Sequence, residues 1–155
     1  MTGCAGIGYE AEGVVQWNSA IGAKKQNSPD YPLWQKSLFL PGAKHIGTFN
    51  RFINSIEFWR LRPEPGYVVN QPGLQMPGHF IAAAGTEAKD LAVAYSPEER
   101  TLEIVLDALP GSPTVNWFNP RTGESTPAVA VVGGKTCQFP TPDPGDWVLV
   151  IKAGK

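Results

Sequence analysis

Trp147-Val148-Leu149-Val150-Ile151 is the stretch that decides the fold. It is of strand length, rich in β-branched residues, and apolar at odd and even positions alike. Successive side chains of a strand point to opposite sides of its sheet, so a strand with one wet face alternates apolar and polar residues. A strand apolar on both sides is usually covered on both sides. The run therefore predicts one face in a sandwich core and the other under a second cover, either the sandwich edge or a neighbouring domain. The neighbour is the better reading, because the first part of the chain holds a helix made to dock against something.

Outward from this strand, further stretches of strand length are Phe80–Ala84, Leu91–Tyr95, Thr101–Leu106, Thr114–Asn119, Ala128–Val132 and Thr136–Phe139. In Leu102-Glu103-Ile104-Val105-Leu106 the first, third and fifth residues point inward by period two. Turn chemistry separates the strands. Asn119-Pro120-Arg121-Thr122-Gly123 sets proline at the second turn position and glycine where a positive φ is needed. Gly133-Gly134 suits a tight primed hairpin, and Ser96-Pro97-Glu98-Glu99-Arg100 reads as a longer polar hairpin loop. Glycine (17) and proline (15) are abundant, which favours many short elements over a helical bundle. The expectation is a mainly β chain: an antiparallel β-sandwich of about 7–8 strands over residues 63–155.

The chain changes character at Arg60-Leu61-Arg62-Pro63-Glu64-Pro65-Gly66. In residues 1–62 the one credible α-helix runs from Pro41, suited to a first helical position, to about Phe58. Ala43, Ile46, Phe49, Ile53 and Ile56 recur at helical spacing as an apolar stripe, with His45, Asn50, Arg51 and Asn54 opposite. Ala5–Val15 reads as strand and loop, and Gln26–Pro32 as loop. A lone amphipathic helix must bury its stripe, so this part is expected to be the end of a larger domain.

Thirteen basic residues against 14 acidic give a net charge of -1, which leaves no electrostatic case for nucleic acid or anionic lipid. No apolar run approaches the ~20 residues of a membrane span. The opening Met1-Thr2-Gly3-Cys4 has neither a basic region nor a long apolar one, so no signal peptide is visible. Cys4 and Cys137 form neither a disulfide framework nor a metal pattern and read as small buried residues. Gly3-Cys4-Ala5-Gly6-Ile7-Gly8 has the wrong glycine order for a phosphate loop. Asp143 and Asp146 flank a Pro-Gly turn rather than forming a calcium loop. His45 and His79 sit in different elements, and no Gly-x-Ser-x-Gly elbow is present. Glu10 and Glu12 would share a face if Tyr9–Gly13 were extended. Glycosidase carboxyls, however, flank a sugar at about 5–9 Å, and loop carboxylates are the better reading. No complete active site, metal site or cofactor site is expected. Tyr9 and Trp17 stand among glycines, where a ring is displayed for stacking on a sugar. Most other aromatics read as core.

Two ordered motifs of the second half resemble the family described as "putative collagen-binding domain of a collagenase". They are Trp117-Phe118-Asn119-Pro120-Arg121-Thr122-Gly123, and Phe139-Pro140-Thr141-Pro142 followed by Asp146-Trp147-Val148-Leu149-Val150. The first part is similar to the last barrel segment of apiosidase-like glycoside hydrolases through Ala5-Gly6-Ile7-Gly8-Tyr9, Val15-Gln16-Trp17 and Ser37-Leu38-Phe39-Leu40-Pro41-Gly42-Ala43. Ile7 stands where many members have His, and Glu10 where Gly is usual. The resemblance implies that residues 1–62 are the end of a (β/α) barrel preceding the sandwich. The barrel's active site lies at the C-terminal ends of its strands, and its catalytic acids lie on earlier strands outside this chain. Tyr9, Glu12 and Trp17 would then bind sugar at the rim. The implied partners are a glycan held by the parent barrel and an intramolecular barrel–sandwich interface, with a parent that is secreted or periplasmic. The competing readings are a stand-alone carbohydrate- or collagen-binding module and a purely structural protein.

Overall fold

The computed structural model describes residues 8, 10–15, 33–105, 112–133 and 136–154. Two single-turn helices, α1 (Glu12–Val15) and α2 (Trp34–Ser37), precede the long α3 (Pro41–Ser55). Among the described residues nine strands follow: β1 (Arg62–Pro63), β2 (Ala82–Gly85), β3 (Leu91–Ser96), β4 (Thr101–Val105), β5 (Thr114–Phe118), β6 (Ser125–Pro127), β7 (Val131–Gly133), β8 (Thr136–Pro140) and β9 (Trp147–Lys152). They form a six-stranded sheet in the order β1-β2-β3-β9-β5-β6 and a three-stranded sheet in the order β4-β8-β7. Every pairing is antiparallel. The fold is the expected β-sandwich.

β9 is central, paired with β3 on one side and β5 on the other. Its inward residues Trp147, Leu149 and Ile151 join Trp117 of β5 and face Leu102, Ile104, Cys137 and Phe139 of the smaller sheet. Phe139, Leu102 and Leu149 have no exposed surface at all. Its outward residues Val148 and Val150 join Phe118, Leu91 and Val93, and this second cluster is covered by Phe52 and Ile56 at the C-terminal end of α3. The Phe52 and Phe118 rings stack with centroids 4.3 Å apart. The second cover that the doubly apolar strand calls for is thus a helix of the same chain.

The helix begins at Pro41 as expected, with Leu40 extended before it, and ends at Ser55 because Ile56 turns to an extended conformation. A 3-10 turn over Phe58–Arg60 then leads into β1. The face turned to the sandwich is centred on Thr48 and Phe52, to one side of the predicted stripe, of which Ile53 and Ile56 still pack on the sandwich. Ile46 and Ile53 are half-buried and Phe49 is 40% exposed. The apolar arc is broader than one contact surface, and the ring that best reaches Phe118 wins its centre.

Three further expectations are corrected. Ser96–Arg100 is not a hairpin loop, because β3 belongs to the larger sheet and β4 to the smaller. It is a corner between sheets, held where the buried Ser96 Oγ donates to the Glu98 carbonyl at 2.8 Å. The strand expected at Ala128–Val132 is instead Val131–Gly133. Glu12–Val15 is a helical turn, with the Val14 and Val15 N–H groups donating to the Ala11 carbonyl at 2.8 and 3.0 Å, so Glu10 and Glu12 do not share an extended strand.

Three sheet edges are guarded. Pro63 on β1 and Pro127 on β6 withhold an N–H from any added strand. Beside β4, Val68 bridges Ile104. The Asn70 side chain there donates to the Thr101 carbonyl (2.8 Å) and accepts from the Glu103 N–H (3.0 Å), as a strand backbone would.

Candidate functional site

Tyr9 and Trp17 lie outside the described residues. Glu12 opens α1, but its side chain also lies outside them. Glu10 is exposed. The rim site expected from the sequence is therefore not assembled among the described residues. Among them, no group of three His, Cys, Asp or Glu is placed to hold a metal ion, and no helix is long and apolar enough to cross a membrane.

The Asn119–Gly123 turn and the loop before β9 meet in an arginine clasp. Asn119 Oδ1 accepts from the backbone N–H groups of Arg121 (3.0 Å) and Thr122 (3.4 Å), fixing the turn. The Arg121 side chain then reaches across. Its Nε donates back to Asn119 Oδ1 (3.1 Å), Nη1 to the Pro144 carbonyl (2.8 Å) and Nη2 to Asp143 Oδ1 (2.8 Å). The guanidinium lies 5.3 Å from the centroid of the Trp147 ring. Trp147 Nε1 donates to the Asp143 carbonyl (3.0 Å). Gly145 adopts φ +116°, and a Cβ there would meet Arg121 Nη1 at 1.5 Å, so a side chain at this position would strain the backbone and push the guanidinium out of the clasp. Arg121 spends its donors on the protein itself. The two sequence motifs that carried the resemblance are, in three dimensions, one structural joint.

Beside the clasp lies a groove of about 370 Å³, floored by Ile46, Phe49, Phe52 and Phe118 and edged by His45, Arg121 and Asp146. Asp146 is partly engaged, accepting from the Tyr95 hydroxyl at 3.4 Å and lying 3.9 Å from Arg121. Burial, and then the Asp146 charge, push the Tyr95 hydroxyl above its usual pKa. His45, expected on the helix face away from the apolar stripe, is instead at the lip of this apolar groove.

A second cleft, of about 630 Å³, opens beyond the far end of α3 and is lined by Trp59, Arg60, Arg62, Thr86, Glu87 and Ala88. Trp59 is 60% exposed and meets Phe58 edge-on, centroids 5.6 Å apart. One wall is a latch. Arg60 Nη2 donates to both Asp90 carboxylate oxygens (2.7 and 2.6 Å), and Nη1 pairs with Glu57. The Arg60 hydrogen bond, aided by that of Thr86, holds the Asp90 carboxyl below the usual carboxylate range. Arg62 Nη1 donates to the Trp59 and Leu61 carbonyls, each at 3.0 Å. Among the described residues Glu87 makes no ion pair. Another ion-pair cluster joins His79 Nδ1 to Glu98 Oε2 (2.7 Å), with Arg100 on the other Glu98 oxygen. His79 first, then Arg100, lower the Glu98 pKa.

The sequence singles out neither Trp59 nor Arg62 and Glu87 as a site, and only the β1–β2 pairing brings the last two together. Arg121 reads there as a turn residue. The downstream Asp-Pro-Gly-Asp was the one available sign that a cation would be needed there.

The model of the family described as "Putative collagen-binding domain of a collagenase" matches residues 63–152. No curated protein matches the chain. Among solved structures, a protein named "Glycoside hydrolase" superposes with a TM-score of 0.69 at 16% identity, covering 84% of this chain and 30% of its own. A glycoside hydrolase family 5 protein from Bacteroides vulgatus gives a TM-score of 0.73 at 16% identity, covering 91% of this chain and 31% of its own. The chain thus spans less than a third of the length of either, and at this identity the likeness is one of fold.

Proposed function

The chain belongs to the family described as "Putative collagen-binding domain of a collagenase", and from that premise we propose that it is the accessory C-terminal part of a glycoside hydrolase. In this reading residues 1–62 are the end of a (β/α) barrel, and the sandwich over residues 63–155 is a structural and docking module. The observation that carries it is α3. The helix closes the outer face of β9 with Phe52 and Ile56, so α3 and the sandwich pack together. The matches to glycoside hydrolases support the same reading, since 84% and 91% of the chain is more than the sandwich contains. Exposed Leu38 and Phe39, the latter 87% exposed, form an apolar corner just before α3, a suitable contact for the body of a barrel.

The finer reading is that the parent is apiosidase-like and acts on plant or complex glycans, with Tyr9, Glu12 and Trp17 contacting sugar at the barrel rim. The runs Ala5–Tyr9, Val15–Trp17 and Ser37–Ala43 support it. The Arg121 clasp supports a structural role for the sandwich, because the family motif is consumed in holding the loop before β9.

The test is an assay of the chain against aryl glycosides and pectic oligosaccharides. No turnover is expected. Turnover abolished by Glu10→Gln or Glu12→Gln would overturn the accessory reading.

A further inference from the structure

We propose that the cleft beside Trp59 is a binding site for a neutral saccharide. Three features in one place carry this. The first is the ring: an indole 60% exposed on a folded surface offers a flat apolar face that the protein itself leaves uncovered. A pyranose or furanose ring presents a patch of C–H groups to such a face. The second is a matched set of hydrogen-bonding groups around it. Arg62 uses Nη1 on the Trp59 and Leu61 carbonyls, which ties the guanidinium to the backbone of the segment that carries the indole. Among the described residues its Nε and Nη2 donors are unspent. Glu87, on the same cleft, is an exposed carboxylate with no ion-pair partner among those residues. A sugar hydroxyl both donates and accepts, so neighbouring hydroxyls use a guanidinium and a carboxylate together. The third is charge balance. Arg60 and Arg62 stand against Glu57, Glu87 and Asp90, with Arg60 already bound to Glu57 and Asp90. What is left facing the cleft is one cation and one anion, which favours a neutral ligand over an anionic or cationic one.

The cleft volume of about 630 Å³ falls in the ~300–1,000 Å³ range of small-molecule sites. The groove beside Arg121 lacks the second feature, since Arg121 and Asp146 are engaged within the protein. The Trp59 site stands on its own side chains: a failed titration leaves the accessory reading intact, and turnover by the chain leaves this site intact.

The experiment is calorimetric titration of the chain with a panel of neutral oligosaccharides (gluco-, manno-, xylo- and arabino-linked), followed in parallel by tryptophan fluorescence. A lysine-rich peptide and a polyuronate serve as charged controls. At least one neutral oligosaccharide is expected to bind with a millimolar or tighter Kd. Trp59→Ala is expected to weaken it at least tenfold and abolish the fluorescence change, while Glu87→Gln and Arg62→Ala weaken it severalfold. Trp59 is exposed, so its replacement is expected to leave the Tm unchanged, and circular dichroism confirms that the variant is folded. Silence across the neutral panel, binding undiminished in Trp59→Ala, or binding of a charged control alone would each overturn the proposal.

Discussion

The two faces of β9 are equally apolar but are buried by different means. The inner face, Trp147, Leu149 and Ile151, is closed by a second sheet whose strands are themselves hydrogen-bonded to one another. The outer face, Val148 and Val150, is closed by one helix that reaches it chiefly through Phe52 and Ile56 and is pinned near its end by the Arg60–Asp90 latch. Apolar residues alone do not tell which cover a face receives. The inner layer shares its stability over many pairings, whereas the outer one hangs on a few rings and one ion pair.

The largest effect is expected from Phe139→Ala. Phe139 is wholly buried between the sheets, and its loss is expected to cost about 3–5 kcal/mol and to lower the Tm of the whole chain in calorimetry. If the midpoint hardly moves, the inner layer is not the cooperative core. Next comes Phe52→Ala, at the lower end of that same range of about 3–5 kcal/mol, because a single helix shifts more readily than a sheet. Its signature is local: hydrogen exchange speeds up in α3 while β9 keeps its protection. Equal losses in both would erase the distinction between the two covers. Arg121→Lys, which keeps the charge and loses the fork, is expected to cost about 1–2 kcal/mol in urea titration. An unchanged midpoint would mean that the clasp adds nothing to the seating of Trp147.

The smallest effect is a pH dependence confined to the outer layer. Because Arg60 and Thr86 lower the Asp90 pKa in the folded chain, the latch contributes fully above the ordinary carboxylate range. Its contribution is lost as pH falls through the depressed value. Below about pH 4, α3 is therefore expected to exchange faster before β8 and β9 do. Asp90→Asn should remove this difference, and its persistence in the variant would assign the acid sensitivity to another group.

Much of this contrast was legible in the chain. The doubly apolar run at Trp147–Ile151 required two covers, and the alternation at Leu102 and Ile104 marked the inner face. Other features turned on information that local patterns do not hold. Ser96–Arg100 looks the same whether it joins paired strands or crosses between sheets, since pairing partners are chosen by distant residues. β1 and β6 are too short and too proline-bearing to show a period. The buried centre of α3 was misplaced because a broad apolar arc does not reveal which of its residues meets Phe118. Of the sites, the exposed indole was visible as one aromatic among several. Glu87 and Arg62 carry no signal until β1 and β2 pair.

The central position of β9 also bears on how the molecule is made. The larger sheet runs β1-β2-β3-β9-β5-β6, so the strand that joins its halves is synthesised after all the others. Until Trp147–Lys152 leaves the ribosome, β1–β3 and β5–β6 are separate ribbons, each with an unpaired inner edge and an uncovered apolar face. Such edges are where nascent chains aggregate, and closure by a distant segment is slow. Assembly of the larger sheet therefore waits on Trp147–Lys152, which must pair with β3 and β5 before the two halves can join.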